Sequence, residues 1–496
     1  MLLGLFLTSA FYLCSSNHFS PWTGAKLYPA FATSARMDLY NLNDSPFILT
    51  VYGPGSSFFY LCSTIGVDPQ SCMWIALSLN ILSILFICHA IFFKSRKHYT
   101  LTHTYFGLSF LFFLTVDKTT LTLFQIHHDL PTLFYLFLFA VILNSAKKSS
   151  LLLLISFLVL WMTVWTKLVA LPWCFLPFAI RFLSPGACPF LENFSFKVIS
   201  FHLFCSGSLL LICFGCLYGF RDLYVHIIDT TNGYPWRECQ SLFGTSEENL
   251  IDNSLSSKLR TLMKIFALYF IDYWWLLLSC ILLLLHQVKS SKPSFYLVWL
   301  PLAYLLTLPT CLSALAKFGG IENSLLFAHF PAYAALFLKA AEIVEREFSS
   351  TLLKLGPIFL FAGILSLISF RNSKACRKDT SLSPMQLGYE YLIEKTKEPV
   401  LFAFSPLPNY LASGVIYDSG EALVYSTMMD HDLLPERAGT KGPLNIPLLA
   451  FSYPPYSKTF FERKFVLHEV PSPQKLKDWK LYKAIPKVET TTPNSQ

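Results

Sequence analysis

The sequence predicts a mainly α protein: a polytopic transmembrane helical bundle of about eleven spans with a small C-terminal α/β extramembrane tail. Three observations carry this reading. The 496 residues are 54% hydrophobic and only 14% charged, where a soluble chain has roughly 25% charged residues. Long apolar runs recur, separated by short basic or polar loops. From Asn372 onward, charged residues, Pro and turn dipeptides return. A charge at the centre of a spanning helix costs about 2.5–3.5 kcal/mol on insertion scales, which accounts for their scarcity in the apolar runs. The net charge of +8 falls largely in short clusters between those runs and in the tail, a topology signal rather than a nucleic-acid footprint.

Residues 2–16 are apolar but short of the ~20 needed to cross a bilayer, and we read them as an uncleaved first helix. A first outer loop follows over 17–70. Its centre, Arg36 to Tyr60, holds Asp38, Asp44, the rigid turn Tyr52-Gly53-Pro54 and the aromatic run Phe58-Phe59-Tyr60. Ser71–Phe93 spans and stops at Lys94-Ser95-Arg96-Lys97. Thr102–Val116, the polar segment Asp117–Asp129, and Leu130–Ala146 ending at Lys147-Lys148 come next. Ser150–Leu183 has the length of a hairpin of two short spans, broken around Trp165-Thr166-Lys167 and Pro172. Val198–Tyr218 precedes a hydrophilic loop from Arg221 to Arg260. Ile265–His286 and Ser294–Leu315 lead to a polar turn over Lys317–Asn323, and Ser324–Ala341 and Leu352–Phe370 complete a membrane domain of residues 1–371. The tail, 372–496, shows a helical period over Gln386–Lys395 and strand-like runs at Pro399–Phe404, Gly414–Tyr417 and Phe465–Val470.

With the N-terminus inside, the basic clusters at 94–97, 147–148 and 289–292 all fall inside. The acidic loop, the His127-His128-Asp129 segment, the Arg221–Arg260 loop and the Lys317 turn then share the opposite face, as a single surface site requires. Asp38 and Asp44 are candidate general bases, because partial desolvation beside a bilayer raises a carboxylate's basicity. Asp44-Ser45-Pro46 also reads as an ordinary turn or helix start. His128 and Asp129 are candidate ligands for a divalent metal ion, and Asp129 before Leu130-Pro131 reads equally as a helix cap. Lys167 lies within an apolar hairpin, where a lone charge faces a polar cavity or snorkels to the interface. Lys317, Gly319-Gly320 and Asn323 make a turn that could cradle a phosphate or simply join two spans. The chain has no Walker motif, GxSxG, HExxH or GxGxxG before a helix, so ATP-driven pumping and serine or zinc hydrolysis have no support.

Taken in order, VYGPGSSFFYL, HHDLPTLFYLFL, WTKLVALPWCFLPFAIRFL and KFGGIENSLLFAHFPAYAALFL resemble the GT-C superfamily of integral-membrane glycosyltransferases. The likeness is to members using polyprenyl-phosphate sugars, such as mannosyl- and arabinosyltransferases, and it covers most of the chain. It implies transfer of a sugar from a polyprenyl-phosphate-linked donor to a glycan, lipid or protein acceptor at the outer face of a bacterial inner membrane. It further implies Asp38 or Asp44 as catalytic base, and Lys167, Lys317 and Asn323 as donor contacts. The family acid stands well upstream of the Tyr-x-Pro turn, but Asn17 to Ala35 holds no Asp or Glu. The alternative class is a polytopic transporter or flippase of lipid-linked or small substrates. It calls for ionisable residues inside spans and an internal repeat.

Overall fold

The structure is a computed structural model that describes residues 2–17, 21–37, 39–40, 52–93, 101–145, 149–229, 236–238, 242, 251, 254–317, 322–347, 384–394, 400–402, 407–415, 448–451, 462, 465–476 and 479–486. Asp38, Asp44 and the Leu352–Phe370 span expected from the sequence lie outside them. So do the basic clusters at 94–97 and 147–148 and the glycines of the 317–323 turn.

The fold is a mainly α bundle with a small sheet. Among the described residues, five helical segments are long and apolar enough to cross a membrane: α4 (Pro69–Phe92), α10 (Phe196–Tyr218), α12 (Leu255–Val288), α13 (Phe295–Leu315) and Asn323–Glu347, most of which is α14 (Leu326–Glu347). Shorter apolar helices fill the bundle: α1 (Leu2–Asn17), α5 (Leu101–Leu114), α6 (Asp129–Ser145), α7 (Ser150–Thr166), and a 3-10 turn Leu168–Phe175 running into α8 (Leu176–Leu183), with the single turn α9 (Pro189–Glu192) ahead of α10. The chain is thus a multi-pass integral membrane protein. The Ser150–Leu183 hairpin breaks at Lys167, where the backbone is extended (φ −154°, ψ 120°).

Local chemistry sets the helix ends. Asp68 caps α4: Ser71 N–H donates to Asp68 Oδ1 at 2.7 Å, the Ser71 side chain returns the bond, and Pro69 stands at the first helical position. Ser149, Ser195 and Ser254 cap α7, α10 and α12 through their hydroxyl oxygens.

The structure corrects the reading of the first outer loop. Pro21–Ser34 is a helix, α2, despite Pro29 within it, and Gly55–Phe59 is a further short helix, α3. The Arg221–Arg260 loop is also shorter than expected. Two short helical pieces (α11, Phe220–Leu223, then Tyr224–Asp229) extend from α10, and α12 begins at Leu255. Ser254 starts that helix early, and its first turns carry Lys258, Arg260 and Lys264 beside exposed Leu255, Leu259 and Met263. Polar residues made this stretch read as loop. Inside α12, Tyr273 departs from helical geometry (φ −130°, ψ 18°) and kinks it.

The tail contributes α15 (Pro384–Glu394), α16 (Leu407–Ser413) and a sheet of order β1-β2-β4-β3: β1 (Val400–Phe402), β2 (Leu448–Phe451), β3 (Phe465–Val470) and β4 (Lys480–Pro486). β1 and β2 are parallel, and the other pairings are antiparallel. Gly414 is not in a strand. It ends α16 in the left-handed region (φ 70°), its N–H bonded to Tyr410 O at 2.7 Å. The tail docks on the loop end of the bundle: Gln70 N–H donates to Gln386 Oε1 (3.1 Å), Tyr389 OH to Val67 O (3.3 Å), and Tyr410 packs edge-on against Phe31 of α2.

Candidate functional site

The turn after the first outer loop is pressed against the end of α7. A Cβ on Gly53 would lie 1.8 Å from Trp165 O, and one on Gly55 would lie 2.2 Å from Thr166 Oγ1. Only glycine allows this approach, which sets the turn beside Lys167. Tyr40 OH donates to Tyr52 O at 2.8 Å, and Tyr135 OH donates to Gly55 O at 3.2 Å. The Tyr52 ring then stacks on His128 at 3.8 Å between centroids.

The His127-His128-Asp129 segment is pinned from α4. Asn80, fully buried in that span, donates to Gln125 O at 2.7 Å, and Tyr60 OH lies 3.0 Å from both Asn80 Oδ1 and His127 O. Asp129 follows as the first residue of α6, where the positive end of the helix dipole favours a carboxylate. Its side chain is fully buried and its oxygens are shared out. Lys167 Nζ lies 2.6 Å from Oδ1. Asn323 Nδ2 donates to Oδ2 at 3.2 Å, and His127 Nδ1 lies 2.9 Å from the same oxygen.

A second ammonium enters from α2. Lys26, only 5% exposed, holds its Nζ 4.6 Å from the Tyr52 ring centre, and Lys167 Nζ stands 5.8 Å from the same centre. Lys167 also lies 5.0 Å from the Phe327 ring. His128 Nδ1 is hydrogen-bonded to Ser56 Oγ, while its buried Nε2 has no hydrogen-bond partner among the described residues. Burial holds both imidazoles below the ordinary histidine range, and the neighbouring lysines add to the effect. The cluster therefore presents ammonium groups and a neutral imidazole around one aromatic face.

Of the residues singled out from sequence, Asp129, Lys167, Asn323 and His128 meet here. Lys317 is half-buried at the end of α13 in a bridge to Trp236. Nearby, Arg237 N–H donates to Ala316 O at 3.0 Å and Lys258 Nζ sits 5.8 Å over the Trp236 ring. Burial, and then Lys258, lower the Lys317 ammonium's pKa. Of the pair expected as metal ligands, Asp129 holds Lys167, Asn323 and His127, and His128 is bonded to Ser56 and stacked on Tyr52. Among the described residues no group of three or more His, Cys, Asp or Glu is placed to hold a metal ion. Sequence reasoning passed over Lys26, although it is the only Lys or Arg among residues 1–35.

No protein-family model matches the chain, and no curated protein is significantly similar to it. Among solved structures, ArnT from Cupriavidus metallidurans, bound to undecaprenyl phosphate, is similar at 12% identity and TM-score 0.48, covering 97% of each chain.

Proposed function

We propose that this chain is a membrane glycosyltransferase that takes a sugar from a polyprenyl-phosphate-linked donor. The supporting observation is the convergence of Lys26, Lys167 and the stacked His128 imidazole on the Tyr52 ring, at the loop end of an apolar bundle. A buried cationic cluster at the end of an apolar bundle suits an anionic headgroup whose apolar tail stays in the membrane. Phosphate is stabilised by paired ammonium groups and by a neutral imidazole donating through one nitrogen. The resemblance of the YGPG, HHD, WTK and GGIEN segments to the GT-C superfamily points to the same chemistry.

In the reaction, the C1–O bond to the carrier phosphate breaks as an acceptor hydroxyl oxygen bonds to C1. Polyprenyl phosphate leaves with its charge held by Lys167 and Lys26. The acceptor proton passes to a carboxylate. Asn323 and His127 keep Asp129 aligned, so that Lys167 is presented rather than withdrawn. On this reading the site faces outward, in the inner membrane of a bacterium, and takes a glycan, lipid or protein acceptor.

The test is sugar transfer from a panel of radiolabelled polyprenyl-phosphate sugars, using membranes that contain wild type, Lys167→Met or Lys26→Met. Covalent transfer by wild type that falls at least tenfold in both variants supports the reading. Movement of labelled lipid across the membrane without a covalent product would replace it with a flippase.

A further inference from the structure

A second buried polar chain is built on the same stretches of chain as the cationic cluster, and the reading above does not use it. Asp117 follows α5 and is half-buried. Thr119 donates to its Oδ1 through both N–H (2.9 Å) and Oγ1 (2.5 Å), and the Tyr333 hydroxyl of α14 also bonds to the carboxylate. His329 Nδ1 lies 3.3 Å from Thr119 Oγ1, and His329 Nε2 lies 3.1 Å from Tyr269 OH. Tyr269 OH is 3.0 Å from Tyr304 OH.

One proton arrangement satisfies every member. Thr119 donates to Asp117, so its oxygen accepts from His329 Nδ1–H. That leaves Nε2 to accept from Tyr269, whose oxygen accepts from Tyr304. The chain therefore fixes the Asp117 carboxylate as an acceptor. The kink at Tyr273, whose ring centre is 4.5 Å from that of His329, faces the same chain. Irregular backbone at membrane depth is tolerated where it packs on protein or lines a polar cavity.

Two chain segments carry both clusters. Residues 117–129 supply Asp117 and Thr119 at one end and His127, His128 and Asp129 at the other. Asn323 bonds to Asp129 and His329 to Thr119, and these two partners are six residues apart, one in the 3-10 turn Glu322–Leu325 and the other in the first turn of α14. The two carboxylates are thus tied to the same two stretches of chain. They are chemically unlike. Asp129 is held by a cation and is a weak base, whereas burial pushes the Asp117 carboxyl above the ordinary range.

We propose that Asp117 is the general base of the transfer, positioned by Thr119 and His329. This rests on the glycosyltransferase reading. The acceptor O–H bond breaks with its proton going to Asp117, the acceptor oxygen bonds to sugar C1, and polyprenyl phosphate departs from the far side.

The experiment measures transfer against pH for wild type, Asp117→Asn, Asp117→Glu, Thr119→Val, Asp38→Asn and Asp44→Asn. Polyprenyl phosphate binding is followed in parallel by thermal shift. Asp117→Asn is expected to lose about 10²–10⁴-fold in kcat with carrier binding intact. Wild-type rate falls as the base is protonated on acidification. That acid limb should vanish from the residual rate of Asp117→Asn, persist in a partly active Asp117→Glu, and move in Thr119→Val. Near-normal transfer by Asp117→Asn, a loss confined to Asp38→Asn or Asp44→Asn, or loss of carrier binding together with activity would each overturn the assignment. Wild type that binds the carrier yet transfers from no donor would instead overturn the transferase reading itself, and the base with it.

Discussion

Replacing Lys167 with Met should destabilise the fold and weaken carrier binding, and the two effects can be separated. The substitution keeps the stem but removes the ammonium 2.6 Å from Asp129 Oδ1, leaving a carboxylate with no solvent exposure and only His127 and Asn323 for support. Breaking a buried pair from one side costs about 3–5 kcal/mol. We expect about 3 here, because Asn323 and His127 remain. Asp129→Asn should cost a similar amount by leaving the ammonium alone. The double variant should cost less than the two singles together by roughly 1–3 kcal/mol, since neither charge is then orphaned. Denaturation of the detergent-purified protein measures the cycle, and polyprenyl phosphate titration measures carrier binding. The double variant should therefore lose about 3–5 kcal/mol rather than about 6, while carrier binding stays as weak as in Lys167→Met, because the ammonium is still missing. Strictly additive losses would refute the pairing. Restored carrier binding in the double variant would refute Lys167 as a phosphate contact.

Tyr52→Phe keeps the aromatic face under both ammonium groups and should bind carrier like wild type, whereas Tyr52→Leu should lose about 0.5–2 kcal/mol of carrier affinity by titration. Gly53→Ala places a Cβ 1.8 Å from Trp165 O, so the turn must move away from α7. Transfer should collapse, while Pro54→Ala at the neighbouring position stays active. His127 and His128 resist protonation in the folded state, but in the unfolded chain a histidine takes up its proton below about pH 6.5. Stability should therefore be fully present above that pH and decline as pH falls through it, as read from melting temperature against pH. A flat profile in a His127→Gln/His128→Gln variant and a sloped one in wild type is the expected contrast.

The fold was legible where physics is local. The break at Lys167 was visible because a charge interrupts two runs too short to be one span and too long to be a loop. Asp129 was visible as a helix start because Pro131 follows within the first turn. What the sequence concealed depends on contacts between distant segments. Lys26 sits in a stretch holding Pro21 and Pro29, which reads as loop, and its place beside Tyr52 exists only once α2 folds under the YGPG turn. The glycines of that turn look like turn residues. Their real constraint is the carbonyl of Trp165, more than a hundred positions away. β2 and β4 escaped because a short strand owes its existence to its partner: Leu449 pairs with Tyr482 across the intervening chain. Asp117 looked like one more polar loop residue, since Thr119, His329 and Tyr333 are assembled from segments some two hundred residues apart.

Asn323 is where the two halves of the site should prove coupled. Its Nδ2 is bonded to Asp129 Oδ2, and six residues later His329 holds the Thr119–Asp117 unit, so one rigid stretch of α14 and its preceding turn references both carboxylates. Asn323→Leu removes a buried hydrogen bond to a charged group, worth about 1.5–3 kcal/mol. The first consequence is a looser Asp129–Lys167 pair and weaker carrier binding, by roughly tenfold or more. The second falls at the other cluster. If the start of α14 relaxes, His329 shifts against Thr119 and the acid limb of transfer moves, although Asn323 touches neither Asp117 nor its partners. Measuring carrier affinity and the pH profile on the same preparation tests this directly. Weaker binding with an unmoved acid limb would mean that the polar chains are independent, each held by its own packing. A shift in both would mean that donor occupancy and the basicity of Asp117 are set through the same helix.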